Sequence, residues 1–229
     1  MTAHVATRPD VTAFLDGVRD LVLPELRTVL ARLDPRLAAA SGERVELLHP
    51  ALAVLAAEAV GGSGATAVPG AVAVELVHRS LGHDDIEVID ALRSLAFDLL
   101  TGRPARMLSA AMRAQSAFLE QPRQGLDEYR ATAMAKTGAL MSAALAIGAE
   151  SAGGRPEEIA VLAQVGQHLG VAVQCVDEVP GSRSETLRQE AVRQIDRVGV
   201  LLAGLPMPAA VRDQFTALCE ALVSRSERR

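Results

Sequence analysis

Five aromatic side chains in 229 residues (Phe14, Phe97, Phe118, Tyr129 and Phe215) leave this chain almost nothing bulky with which to fill an interior. Its core must be built from alanine, leucine and valine. Small and unbranched residues favour helices in close contact over a β-sandwich, whose strands draw on β-branched and aromatic side chains. With 49% hydrophobic residues the chain can bury a substantial core. That fits one large domain more economically than two small ones.

Helical spacing runs the length of the sequence, and no segment alternates as a strand does. Residues 11–33 set Leu15, Val18, Val22, Leu26 and Leu30 at helical intervals, with Pro24 placed to kink or divide the helix. A second helix is expected over 47–60, closed by Gly61-Gly62. A third spans 71–100, either as one rod or as two pieces broken near Val88. Further helices are expected over 105–120, 126–150, 156–176, 185–202 and 208–224. The economical architecture is all-α: about eight helices around one core in residues 11–225, behind a flexible tail of residues 1–10.

The formal net charge of −5 and pI near 5.6 provide no electrostatic footprint for nucleic acid. Cys175 and Cys219 lie far apart and form no CxxC pair, which argues against a disulfide scaffold or a thiolate zinc site. The first ten residues lack the apolar stretch of a signal peptide. Apolar runs such as residues 51–60 fall short of the roughly 20 residues a bilayer demands. A soluble cytoplasmic protein is the expectation.

Two acidic segments and one lysine carry the chemical information. Glu75-Leu-Val-His78-Arg-Ser-Leu-Gly82-His83-Asp84-Asp85-Ile-Glu87 begins apolar and ends in carboxylates. If the helix continues through it, Asp84 and Glu87 share a face, with Asp85 about 100° away. Hard oxygen donors there would suit Mg²⁺ with several retained waters. The competing reading is a helix N-cap in a solvated acidic turn. A second apolar segment ends in Gln174-Cys175-Val-Asp177-Glu178. Between the two lies Lys136, the sole lysine of the chain, in a small apolar helix that also carries Thr137 and Gly138. A buried lysine requires an anionic partner. His78 reads as a packed core histidine, His49 and His168 have no partners at ligand spacing, and Cys175 reads as a small apolar filler.

In order and wording these segments resemble the trans-prenyl (polyprenyl) diphosphate synthase family. Gly42-Glu43-Arg44 through His49-Pro50 to Gly62 resembles its GGKRLRP helix. Glu75 to Asp85 resembles the first aspartate-rich helix, ending in HDDxxD. Residues 90–100 resemble the helix that follows. Lys136-Thr137-Gly138 resembles its KT motif, and Gly170 to Glu178 its GxxFQxxDDxxD motif. The resemblance implies an all-α, single-domain bundle of the isoprenoid-synthase type around a central cavity, usually dimeric. It implies Mg²⁺ held by Asp84, Asp85 and Glu87 on one side and by Asp177 and Glu178 on the other. It implies Lys136 as diphosphate clamp, acting with Asp84 and Asp85 in catalysis, and His83, Thr137, Gln174 and Arg44 as substrate-binding residues.

The departures from the family pattern are uneven. Val88 stands where the first motif has its last aspartate, Gly181 where the second does, and Glu43 where a phosphate-binding lysine belongs. The Arg-Arg-Gly segment after the first motif is missing. The isopentenyl diphosphate side is thus stripped, while the allylic side keeps His83, Asp84, Asp85, Lys136, Thr137, Gln174 and Asp177. The expected activity is therefore Mg²⁺-dependent ionisation of a prenyl diphosphate, in the manner of a class I terpene synthase, with release of pyrophosphate. Phe97 and Phe118 are the aromatic candidates for steadying a cation. The alternatives are a catalytically silent partner of an active prenyl synthase, a residual prenyltransferase, or a helical scaffold. The partner chain implied is a second copy, or a catalytic homologue in a heterodimer.

Overall fold

A computed structural model of the chain describes residues 9–41, 47–117, 132–177 and 184–224. Among the described residues ten α-helices follow one another: α1 Val11–Leu30, α2 Pro35–Ala40, α3 Leu48–Ala59, α4 Val68–Leu81, α5 Ile86–Leu100, α6 Ala105–Ala117, α7 Ala139–Ser151, α8 Pro156–Asp177, α9 Ser184–Ala203 and α10 Ala209–Ser224. A 3₁₀ turn, Gly64–Ala67, precedes α4, and a π-helical turn, Met134–Gly138, runs directly into α7. The described residues contain no strand.

The local signals behind these elements are conventional. Asp10 caps α1 by accepting from the Thr12 and Ala13 backbone N–H groups. Pro24 sits inside α1 without dividing it. Asp34 caps α2 with Pro35 in its first turn, a short helix that apolar periodicity does not reveal. Gly61, at φ +85°, ends the α3 region in the left-handed conformation that glycine adopts without strain.

The expected 71–100 helix is two helices, and the break lies at residues 82–85, ahead of Val88. Val88 is buried on the inner face of α5. Gly82 ends α4, and the Asp85 carboxylate accepts from the Glu87 N–H at 2.9 Å, opening α5 as its N-cap. Asp84 therefore lies outside any helix and does not share a helical face with Glu87, which corrects the expectation drawn from continuous periodicity.

Alanine, leucine and valine do fill the interior, with Phe215 the largest fully buried side chain. Phe97 is half-buried and packs against the main core. The centre of the bundle is α7, packed against α8, α3, α6 and α4, with α9 on the far side of α8. By length and composition Pro156–Val176 could cross a membrane, yet half of that stretch is buried within the bundle.

Close approach between these helices is set by residues without bulk. A Cβ built on Gly148 of α7 would stand 2.0 Å from the Ala53 carbonyl oxygen of α3. One on Gly166 of α8 would stand 2.4 Å from the Ser142 nitrogen, and one on Gly170 2.4 Å from both Cα and N of Gly138. At these points backbone packs on backbone, and no side chain larger than hydrogen fits.

Candidate functional site

The Gly138–Gly170 crossing positions the polar groups around it. Thr137 is the residue before Gly138, and Gln174 lies one helical turn beyond Gly170, on the same face of α8. The Thr137 hydroxyl donates to Gln174 Oε1 at 2.7 Å in a half-buried setting. The π turn over Met134–Gly138 holds Lys136 and Thr137; such turns interrupt the i→i−4 ladder and recur at functional sites. Lys136 is half-buried rather than buried, so the requirement for an anionic protein partner relaxes. No ion pair to it forms among the described residues.

The first acidic group is built differently. Asp84, Asp85 and Glu87 are all exposed on the α4–α5 turn, with His83 half-buried beside them. Asp85 commits one oxygen to its cap, leaving the second for a ligand. Among the described residues these three carboxylates do not converge on one point, and no ion pair joins them to Lys136. Exposed carboxylates of this kind fit a Mg²⁺ ion held through one or two protein oxygens, with water and substrate oxygens completing its shell. They do not form a three-carboxylate cage. Asp177 ends α8; Glu178 and Arg44 lie outside the described residues, as do Glu43, Phe118 and Gly181.

Sequence reasoning missed a third polar group. His49 in the first turn of α3 and His78 in the last turn of α4 place their rings 4.4 Å apart at 44°. Glu75, one turn before His78, is fully buried and accepts from Arg79 Nε at 3.0 Å through Oε1. Its other oxygen lies 3.9 Å from His78 Nδ1. Burial, and secondarily the charge of His78, holds the His49 imidazole well below the ordinary histidine range. The Glu75-x-x-His78 spacing was a usable signal, but His49 joins only through the packing of α3 on α4. His168 likewise finds a partner across helices, with Nδ1 2.6 Å from Gln194 Oε1. Cys175 is buried in a small cluster with Val171, Leu187 and Ala191. Cys219 is also buried, and desolvation pushes its thiol up to about 12.

Known proteins share this arrangement of helices. The crystal structure of polyprenyl synthetase from Streptomyces coelicolor A3(2) superposes with a TM-score of 0.81 at 26% identity, covering 93% of this chain and 100% of that one. Geranylgeranyl pyrophosphate synthetase from Pyrococcus horikoshii Ot3 gives 0.77 at 20% identity, over 93% and 99%. The fold is that of the class I isoprenoid synthases. In sequence, the (2E,6E)-farnesyl diphosphate synthase of Mycobacterium tuberculosis is 33% identical over 71% of this chain and 60% of its own length. The geranylgeranyl diphosphate synthase of the same species is 29% identical over 79% and 63%. No family model matches. The chain belongs to the trans-isoprenyl (polyprenyl) diphosphate synthase family, and spans a little over 60% of the length of these curated relatives at most.

Proposed function

We propose that the chain ionises a prenyl diphosphate in a Mg²⁺-dependent reaction and releases pyrophosphate without condensing the allylic fragment with isopentenyl diphosphate. The supporting observation is the Thr137–Gln174 hydrogen bond at the glycine crossing, beside a lysine that has no ion pair among the described residues. That places one cationic and two neutral polar groups on a rigid seam, a frame suited to a diphosphate. The farnesyl and geranylgeranyl diphosphate synthases to which the chain is similar belong to prenyl diphosphate chemistry by name.

In this reading Lys136 donates to the diphosphate and stabilises the charge that grows on it as the C–O bond breaks. Thr137 and Gln174 hold each other in place and orient that charge. Asp84 and Asp85, with Glu87 near and Asp177 and Glu178 as the second pair, would hold Mg²⁺, which would supply positive charge to neutralise the departing diphosphate. His83 borders the first group and Arg44 belongs to the remnant of the isopentenyl side. The substitution of Glu43 for a lysine, and the missing Arg-Arg-Gly, argue against condensation, since a carboxylate repels the second diphosphate.

The α4–α5 turn favours a second reading. With Asp85 serving as a helix cap and Asp84 off the helix, the first acidic group is suited to weak metal binding, as in a silent subunit that pairs with a catalytic homologue.

Pyrophosphate release separates the two. The purified chain is given dimethylallyl, geranyl, farnesyl and geranylgeranyl diphosphates without isopentenyl diphosphate, in Mg²⁺ and in EDTA. Metal-dependent release that Asp84→Ala lowers by at least about 100-fold, with thermal stability unchanged, supports ionisation. Absence of release from all four substrates overturns it in favour of the silent subunit.

A further inference from the structure

We propose that His49, Glu75 and His78 form a binding site for a transition-metal ion of the zinc class, at the junction of α3 and α4. The ligand atoms of the three residues all lie within 4.8 Å of one another, the one grouping of this kind among the described residues. Two imidazoles and one carboxylate are a donor set for zinc, cobalt, nickel or iron, and a poor one for magnesium, which takes oxygen ligands. The site is thus chemically distinct from the exposed carboxylates of the α4–α5 turn and does not depend on the prenyl diphosphate reading.

Burial makes the cluster more than a chance meeting. His49 is 4% exposed and its Nδ1 makes no hydrogen bond, a cost that buried polar atoms seldom bear unmatched. A metal would take that lone pair. Glu75 is held from behind by Arg79, the outer-shell arrangement that orients a carboxylate ligand toward its ion. The Arg79 charge also balances that of Glu75.

Geometry requires a modest closure. Tetrahedral zinc at about 2.1 Å from each donor sets donor–donor separations near about 3.4 Å. The observed spread therefore needs to contract by up to about 1.4 Å as the ion binds. The His78 side chain is 28% exposed, so one edge of the cluster lies near solvent. Two histidines on different helices, joined through one ion, would staple α3 to α4.

The test is a metal titration of the full chain after stripping with chelator. Zn²⁺ is followed by equilibrium dialysis and by the rise in Tm, and Co²⁺ by its visible ligand-field absorption. One equivalent is expected to bind, raising Tm and giving the intense absorption of a four-coordinate cobalt site. Removal of a ligand should weaken binding by at least about 100-fold, beyond the effect of losing an outer partner. His78→Gln, at the half-exposed position, and His49→Gln each test this, with circular dichroism to establish that the variants remain folded. His168→Gln should leave the titration unchanged, and excess Mg²⁺ should not compete. Failure to bind either ion stoichiometrically, or binding retained in a folded His78→Gln variant, overturns the proposal and leaves the rings as packing partners.

Discussion

The α7–α8 seam and the α4–α5 turn both carry candidate site residues, and they are built in opposite ways. At the seam, Thr137 and Gln174 are joined because glycine meets glycine and two backbones touch. The geometry is paid for by the fold and is present before any ligand arrives. At the turn, Asp84, Asp85 and Glu87 project into solvent, and the one structural bond among them fixes a helix start rather than a ligand pocket. A frame that packing enforces can orient a substrate in advance. Carboxylates on a turn gain order only when an ion gathers them, so their affinity must carry that ordering cost.

Substitutions can break or sharpen this contrast. The largest effect is expected at the seam. Gly170→Val forces atoms into the Gly138 backbone and should cost about 3 kcal/mol in urea unfolding, since neither helix can yield locally. A cost under about 0.5 kcal/mol would show that the crossing is loose and the contrast false. Next is Thr137→Val, which deletes the hydroxyl bonded to Gln174 and should cost about 1.5 kcal/mol by the same measurement. It should also lower pyrophosphate release more than it lowers stability alone can explain, if orientation is the role of the pair.

The smallest changes in stability belong to the turn. Asp85→Ala removes the α5 cap and should cost about 1 kcal/mol, while Asp85→Asn keeps the cap and should cost a few tenths. The asparagine variant therefore isolates metal binding. Loss of Mg²⁺-dependent turnover in Asp85→Asn, with Tm retained, would assign the second oxygen to the ion. Equal activity of Asp85→Asn and the parent would leave Asp85 as a cap alone.

Much of the helical architecture was legible because each helix buries an apolar stripe whose period survives in the sequence. The failures have local causes. The 71–100 segment reads either as one rod or as two pieces broken near Val88, but Val88 is a core residue of α5; Gly82 and the capping aspartate Asp85 mark the break. Helix α2 escaped because six residues carry too little periodicity, although Asp34-Pro35 marks its start. Pro24 lies inside α1 and does not divide it. Within the candidate site, Thr137 and Gln174 were legible through resemblance, while their contact was not, since it depends on where two helices cross. The His49–Glu75–His78 group shows the same limit more sharply. Its two helical segments are 26 positions apart between His49 and Glu75, and only tertiary packing brings them together.

The small-residue interior has a consequence for how this sequence tolerates change. Alanine and glycine surrender almost no side-chain freedom on folding, so what ordering this core costs is chiefly backbone entropy. Each such residue also buries little area, so the helices hold together through short axial distances and not through a few bulky anchors. Trimming a methyl group somewhere in such an interior removes little. Adding one at a contact such as Gly148 against Ala53 wedges apart two helices along their length. Mutational drift in this chain is therefore asymmetric: loss of volume is absorbed locally, and gain of volume is transmitted through the bundle.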